Sequence, residues 1–173
     1  MGNGTTVAVI DDNRDYRQLY KLWLPEEYDV VEAADGLEGL QRIDDSVDAV
    51  LLDRQMPELD GAAVASKLQS RSVTPGLVMI SGIKPDVDIL DIPVDTYLRK
   101  PADRDTLVAA LSMVQDRCEC EPERRELLGL ADRRATVAET VRAMALAESE
   151  AYQRAVERLE QHGMAFADTV TEP

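Results

Sequence analysis

Short β-branched runs alternate with amphipathic stretches over the first two-thirds of the chain. Thr6–Ile10, Tyr28–Glu32, Ala49–Leu52, Leu77–Ile80 and Thr96–Leu98 read as five strands. Between them, apolar positions at helical spacing predict helices over Arg14–Leu24, closed by Pro25, and over Leu37–Ile43, Ala62–Ser70 and Asp103–Val114. The stretch from Pro85 to Leu90 is the weakest element, because Pro85 and Pro93 leave room for only about two turns. Such alternation predicts an α/β domain: a doubly wound five-stranded parallel sheet with helices on both faces.

After residue 118 no strand-like run recurs, and the spacing predicts a small α-helical C-terminal module over 118–168. One helix is expected over Pro122–Ala147, with Leu127, Ala131, Ala138, Val141 and Ala145 as its apolar stripe. A second is expected from about Ser149 to Gln161, with Tyr152, Val156 and Leu159 on one face and Gly163 as its stop. An alanine-rich stripe buries too little to hold a helix alone, so the module must pair with its neighbour, with the first domain or with another copy of the chain. Residues 169–173 read as a frayed, disordered tail.

Composition narrows the function classes. The 173 residues are 45% hydrophobic and 31% charged, and the longest apolar runs, such as Ala49–Leu52, are far below the roughly 20 residues that span a bilayer. Asp and Glu total 34 against 19 Lys and Arg, a net charge of −15 that repels nucleic acid and anionic lipid. Only four of the basic residues are lysines, Lys21, Lys67, Lys84 and Lys100, against fifteen arginines. An acidic, lysine-poor balance suits a very salty cytosol, where the Debye length falls to about 3 Å. Cys118 and Cys120 are too few for a disulfide framework, and with His162 as the sole histidine they do not make a zinc site. The start of the chain has no charged-then-apolar leader, which predicts a cytoplasmic location, and a myristoylation-like Met1–Thr6 lacks the polybasic second signal of a stable anchor.

The chemistry sits where the predicted strands end. In an open parallel sheet, ligands bind beyond the carboxyl ends of the strands. Here the first strand runs into Asp11 and Asp12, the third into Asp53, the fourth into Ser81 and Gly82, and the fifth into Lys100 and Pro101. Three crowded carboxylates repel one another unless a cation intervenes, and a hard divalent ion with oxygen ligands resolves the conflict. This predicts a Mg2+ site made by Asp12 and Asp53, with Asp11 acting through water and the main-chain carbonyl of Gln55 as a further ligand. Asp53 would be a nucleophile for phosphoryl transfer, Lys100 would neutralise phosphoryl oxygens, and Ser81 would donate a hydrogen bond to one of them. Taken singly, an aspartate at a strand end is most often a helix cap or loop residue and Lys100–Pro101 merely a turn; it is their order at the ends of successive strands that points to the chemistry.

Val7–Asp12, Leu52–Gly61 with its Asp-x-x-Met-Pro-x-x-Asp-Gly stretch, Met79–Gly82 and Tyr97–Pro101 together resemble the receiver domain of two-component response regulators. The resemblance covers residues 5–117. It implies a sheet in the order 2-1-3-4-5, phosphorylation of Asp53 by a sensor histidine kinase, a cis peptide between Lys100 and Pro101, and Tyr97 as a switch aromatic following Ser81. Ser81 stands where threonine is more frequent in the family, and the short segment before the fifth strand puts the usual helix-strand-helix dimer face in question. Arg54, Gln55, Ile83 and Lys84 flank the acid pocket and are expected to tune the lifetime of the phosphoryl group. The stretches Leu127–Ala135 and Glu148–Tyr152 resemble the HalX module attached to receivers in haloarchaea.

The leading expectation is therefore a phosphorylation-controlled switch whose helical tail acts by protein contact or homodimerisation. A tail that binds DNA is disfavoured by its seven basic and twelve acidic residues over 118–173, although Arg124–Arg125 and Arg133–Arg134 form a local basic strip. A phosphoaspartate-forming hydrolase would want an Asp-x-Asp motif, whereas Asp11-Asp12-Asn13 has adjacent acids. Neither a flavodoxin-like phosphate loop nor a Gly-Lys-Ser/Thr loop occurs.

Overall fold

The computed structural model describes residues 4–26, 28–71 and 73–164, so the expected tail 169–173 and the end of the helical module lie outside the described residues. In chain order the elements are β1 (Thr5–Ile10), α1 (Arg14–Trp23), β2 (Tyr28–Ala33), α2 (Gly36–Arg42), β3 (Ala49–Asp53), α3 (Gly61–Gln69), β4 (Gly76–Ser81), a 3-10 helix (Val87–Asp91), β5 (Thr96–Arg99), α4 (Arg104–Cys118), α5 (Pro122–Thr140), α6 (Ala143–Glu148) and α7 (Glu150–Gln161). The five strands are parallel and lie in the order β2-β1-β3-β4-β5, as the resemblance implied. Asn13, Asp35, Asp60 and Asp103 cap α1, α2, α3 and α4, each accepting a backbone N–H from the first turn.

Alternation along the central strands splits the core in two. Val7, Val9, Leu51, Val78 and Ile80 face Tyr20, Leu107, Leu111 and Val114 of α1 and α4. Ala8, Ile10, Val50, Leu52 and Met79 face α2 and α3, and this second core continues through Ile89, Ile92 and Val94 into α5 and α7. The C-terminal helices thus pack on the first domain: of the three pairings the stripe left open, the structure has α5 against α7 and both against the 3-10 helix.

Two expectations for the tail are corrected. The helix expected over Pro122–Ala147 is broken after Thr140, where Val141 and Arg142 are extended. Thr136, Val137, Thr140 and Val141 crowd β-branched side chains into less than two turns, and the Thr140 hydroxyl reaches main-chain carbonyls there, both of which weaken a helix. The buried stripe is Leu127, Leu130, Ala131 and Val137, whereas Ala138 and Ala145 are exposed. The face is rotated because an arginine, Arg133, is turned inward.

Arginines dock α5. Arg133 is only 6% exposed, and its guanidinium donates to the carbonyls of Val94 and Leu90. Burial pulls its pKa down to about 10, so it stays charged at neutral pH. Arg125 makes two contacts to the buried Asp95 carboxylate, at 2.9 and 2.7 Å, and donates to the carbonyls of Thr74 and Pro75. Arg117, from α4, donates to the carbonyl of Asp95 at 2.6 Å. Arg125 and Arg133 are therefore internal, and the basic strip expected on the tail surface does not form. Gly129 completes the approach, because a Cβ there would stand 3.0 Å from the Val94 carbonyl oxygen.

Removing one member of a buried ion pair leaves the other uncompensated. Asp95→Ala is accordingly expected to lower stability by about 3–5 kcal/mol. Urea denaturation measures this, and a loss no larger than that of a surface substitution would show that the pair does not hold α5.

Candidate functional site: an acid pocket at the strand ends

Because the strands are parallel and in register, their carboxyl ends deliver side chains to one edge. Asp11 follows β1, Asp53 closes β3, Ser81 closes β4 and Lys100 follows β5. Asp11, Asp12 and Asp53 each bring a carboxylate oxygen within 4.8 Å of the others, with Asp11 and Asp53 buried and Asp12 exposed. This donor set of hard oxygens fits a divalent cation such as Mg2+.

Each residue is held by local geometry. The N–H of Asn13 donates to Asp11 Oδ1 at 2.9 Å, and Arg17 donates to the Asp11 main-chain carbonyl at 2.6 Å. Gln55 lies two residues past β3, and its N–H donates to Asp53 Oδ2 at 3.0 Å. The loop after Asp53 folds back so that the N–H of Gly61 reaches the Arg54 carbonyl, and no side chain fits at Gly61, since a Cβ would lie 2.3 Å from the Asp53 main-chain oxygen. That explains chemically why a glycine follows Asp60 in this loop.

Lys100 sits between the buried acids, its Nζ 2.7 Å from both Asp11 Oδ2 and Asp53 Oδ1. The Lys100–Pro101 peptide is cis. Burial pushes the ammonium pKa down, but the two carboxylates outweigh it and hold it above the ordinary lysine value. Burial also pushes the Asp53 carboxyl up; Lys100 opposes this and Asp11 and Asp12 add to it, and the net direction is upward. Tyr16, on α1, lies with its ring 4.0 Å from Lys100 Nζ. Tyr16 and Arg17 were missed from the sequence; their signal is that both sit within one turn and a half of the acidic pair on a helix it opens.

Ser81 is fully buried, and its Oγ accepts the N–H of Ile83 at 3.1 Å. Tyr97 is buried in β5, with its hydroxyl donating to the Ile83 carbonyl at 3.0 Å. Arg54 leaves the pocket sideways to pair with Asp88 of the 3-10 helix. Cys118 and Cys120 are free thiols remote from this edge.

A raised carboxyl pKa means that the folded state binds the Asp53 proton more tightly than the unfolded chain does. That contribution is favourable below the ordinary value near pH 4 and is lost as pH rises through the folded value. In EDTA at pH 7, Asp53→Asn is therefore expected to melt a few degrees above the wild type, with the gain shrinking as the pH falls towards about 4. Thermal melts across that range measure it; a gain that grows on acidification would contradict the burial argument.

Comparison with known proteins agrees with this geometry. Residues 7–112 match the model of the response regulator receiver domain. A protein of Haloferax volcanii named as a transcriptional regulator is 42% identical over 96 residues, which are 55% of this chain and 16% of that one. The transcriptional regulatory protein CpxR of Escherichia coli is 32% identical over 112 residues, 62% of this chain and 48% of that one. This chain thus spans about half the length of CpxR and far less of the Haloferax protein. Among solved structures, a receiver domain from Methanospirillum hungatei superposes with a TM-score of 0.61 at 24% identity, covering 66% of this chain and 95% of that one. The receiver domain of a Francisella response regulator gives 0.59 at 24%, covering 67% and 100%. Such structural likeness speaks for the fold, while the sequence match extends over the strand ends that carry the acid pocket: the chain belongs to the response regulator receiver domain family.

Proposed function

We propose that this protein is a phosphorylation-activated response regulator that accepts a phosphoryl group on Asp53 from a sensor histidine kinase, in a Mg2+-dependent reaction in the cytoplasm. The observation that carries this reading is the buried Asp53 carboxylate, hydrogen-bonded to Lys100 at 2.7 Å within a cluster of three acids. An oxygen of Asp53 attacks phosphorus, and the new O–P bond forms as the N–P bond of the kinase phosphohistidine breaks and the imidazole leaves with the electron pair. Lys100 moves its interaction from the carboxylate to the phosphoryl oxygens, and the Ser81 hydroxyl donates to another of them. Asp12 and Asp53, the Gln55 carbonyl and Asp11 through water would hold Mg2+, which when bound supplies neutralisation of the charge developing on those oxygens. Tyr97 follows Ser81 as the switch aromatic. The protein is a switch that catalyses only its own phosphorylation and dephosphorylation.

Residues from 118 onward form the output module, a helical unit of the HalX kind working through protein contacts or a homodimer. Relatives named as transcriptional regulators support a role in transcription control, but two things weigh against direct DNA contact by the tail. Its charge balance is acidic over 118–173, and Arg125 and Arg133 are spent on carbonyls and Asp95.

Incubation with Mg2+ and acetyl phosphate in high salt, followed by intact mass, is expected to show one added phosphoryl group on the wild type. None is expected in EDTA or in Asp53→Asn. An unmodified wild type that also fails to bind beryllofluoride would sink the proposal.

A further inference from the structure

The pocket has two physical connections to the C-terminal helices. The first is the loop from Ser81 to Asp86. Ile83 is gripped on both sides, its N–H by the Ser81 oxygen and its carbonyl by the Tyr97 hydroxyl. Two residues further on, the carbonyl of Pro85 accepts the Thr140 hydroxyl at 2.9 Å, at the last residue of α5. The second runs from Arg54, next to the proposed phosphoacceptor, to Asp88 on the 3-10 helix, on which α5 and α7 both rest.

Thr140 is built to change partners cheaply. A hydroxyl has one proton to donate, and three carbonyls lie within reach: Pro85 at 2.9 Å, Val137 at 3.1 Å and Thr136 at 3.2 Å. When the loop withdraws, the proton falls back onto the helix itself, so no buried donor is stranded and the desolvation cost that locks most buried hydrogen bonds is absent. Immediately beyond, Val141 and Arg142 are extended, so a shift at Thr140 is not carried as rigid-body motion into α5 but is taken up where α6 begins.

We propose that Thr140 and Asp88 are the residues through which the C-terminal helices sense the state of Asp53, phosphorylation loosening both of their contacts and freeing the α5–α6 junction. This rests on the phosphorylation of Asp53 proposed above. A phosphoryl group carries roughly two negative charges: it draws the Ser81 hydroxyl towards itself, displacing Ile83 and with it Pro85, and it competes with Asp88 for Arg54. Thr140 and Asp88 do not touch the reacting atoms, so they are positioning residues.

Hydrogen exchange on the full chain, with phosphoryl occupancy read from intact mass in the same sample, tests this. Phosphorylated wild type is expected to exchange the amides of 141–149 about fivefold faster than the unmodified protein, the factor that goes with losing one ordinary hydrogen bond. In unmodified Thr140→Val, the amides of 82–86 are expected to exchange faster by a similar factor. Phosphoryl occupancy should stay as in the wild type, and the further rise over 141–149 on phosphorylation should be only the part that runs through Asp88, about half of the wild-type response. Thr140→Ser should restore wild-type behaviour, and Thr136→Val, whose hydroxyl bonds only within α5, should leave 82–86 unchanged. Asp88→Asn should mimic half of the phosphorylated response. A fully phosphorylated wild type with no change over 141–149, or a Thr140→Val protein that responds as the wild type does, overturns the link. If no phosphoryl group is taken up and beryllofluoride does not bind either, it is the proposed function that fails, and equal exchange over 82–86 in unmodified wild type and Thr140→Val overturns the link separately.

Discussion

The constraint behind this structure is the crowding of like charges at one edge of a parallel sheet. Parallel strands point their carboxyl ends to the same edge, and in this chain two of those ends bring carboxylates that are buried within a few ångströms of each other. Burial raises the cost of ionising Asp53, and the Asp11 and Asp12 charges raise it further. The Lys100 ammonium, delivered from the end of another strand, is what makes the arrangement tolerable. A site held this way is poised for added charge of the right geometry, because its cation is already in place and only has to change partners.

The rest of the domain serves that edge. Gly61 lets the loop after β3 close against the Asp53 backbone, Arg17 braces the main chain of the acidic pair, and the cap aspartates start the helices that keep the strand ends level. On the far side, the 3-10 helix is too short to cover the sheet by itself. Val94, Ile92 and Ile89 are buried because α5 and α7 lie over them, so a surface that a lone receiver would expose is here part of the core.

The sheet and the pocket were legible because both are written in local chemistry: β-branched runs ending in acids, a hydroxyl and a lysine can be read one strand at a time. The break after Thr140 and the rotated face of α5 were not. An inward-facing arginine carries no hydrophobic signature, so periodicity assigned Ala138 and Ala145 to a stripe that Leu130, Arg133 and Val137 in fact occupy. Neither could spacing tell that Arg125 would find Asp95 thirty residues away, or that the 3-10 helix would be the surface on which α5 and α7 rest.

The way α5 is fastened has a consequence for how this family would drift. Most acceptors of its arginines are main-chain oxygens, those of Thr74, Pro75, Leu90 and Val94, and every amino acid supplies one. The hydrogen bonds at those four positions therefore survive a change of side chain, whereas Arg125, Arg133 and Asp95 are not replaceable; at Leu90 and Val94 the demand that remains is only for an apolar side chain that fills the core. Two homologues could share this docking while differing in identity at the receiving positions, and correlated substitution between the arginines and their carbonyl acceptors would be nearly silent.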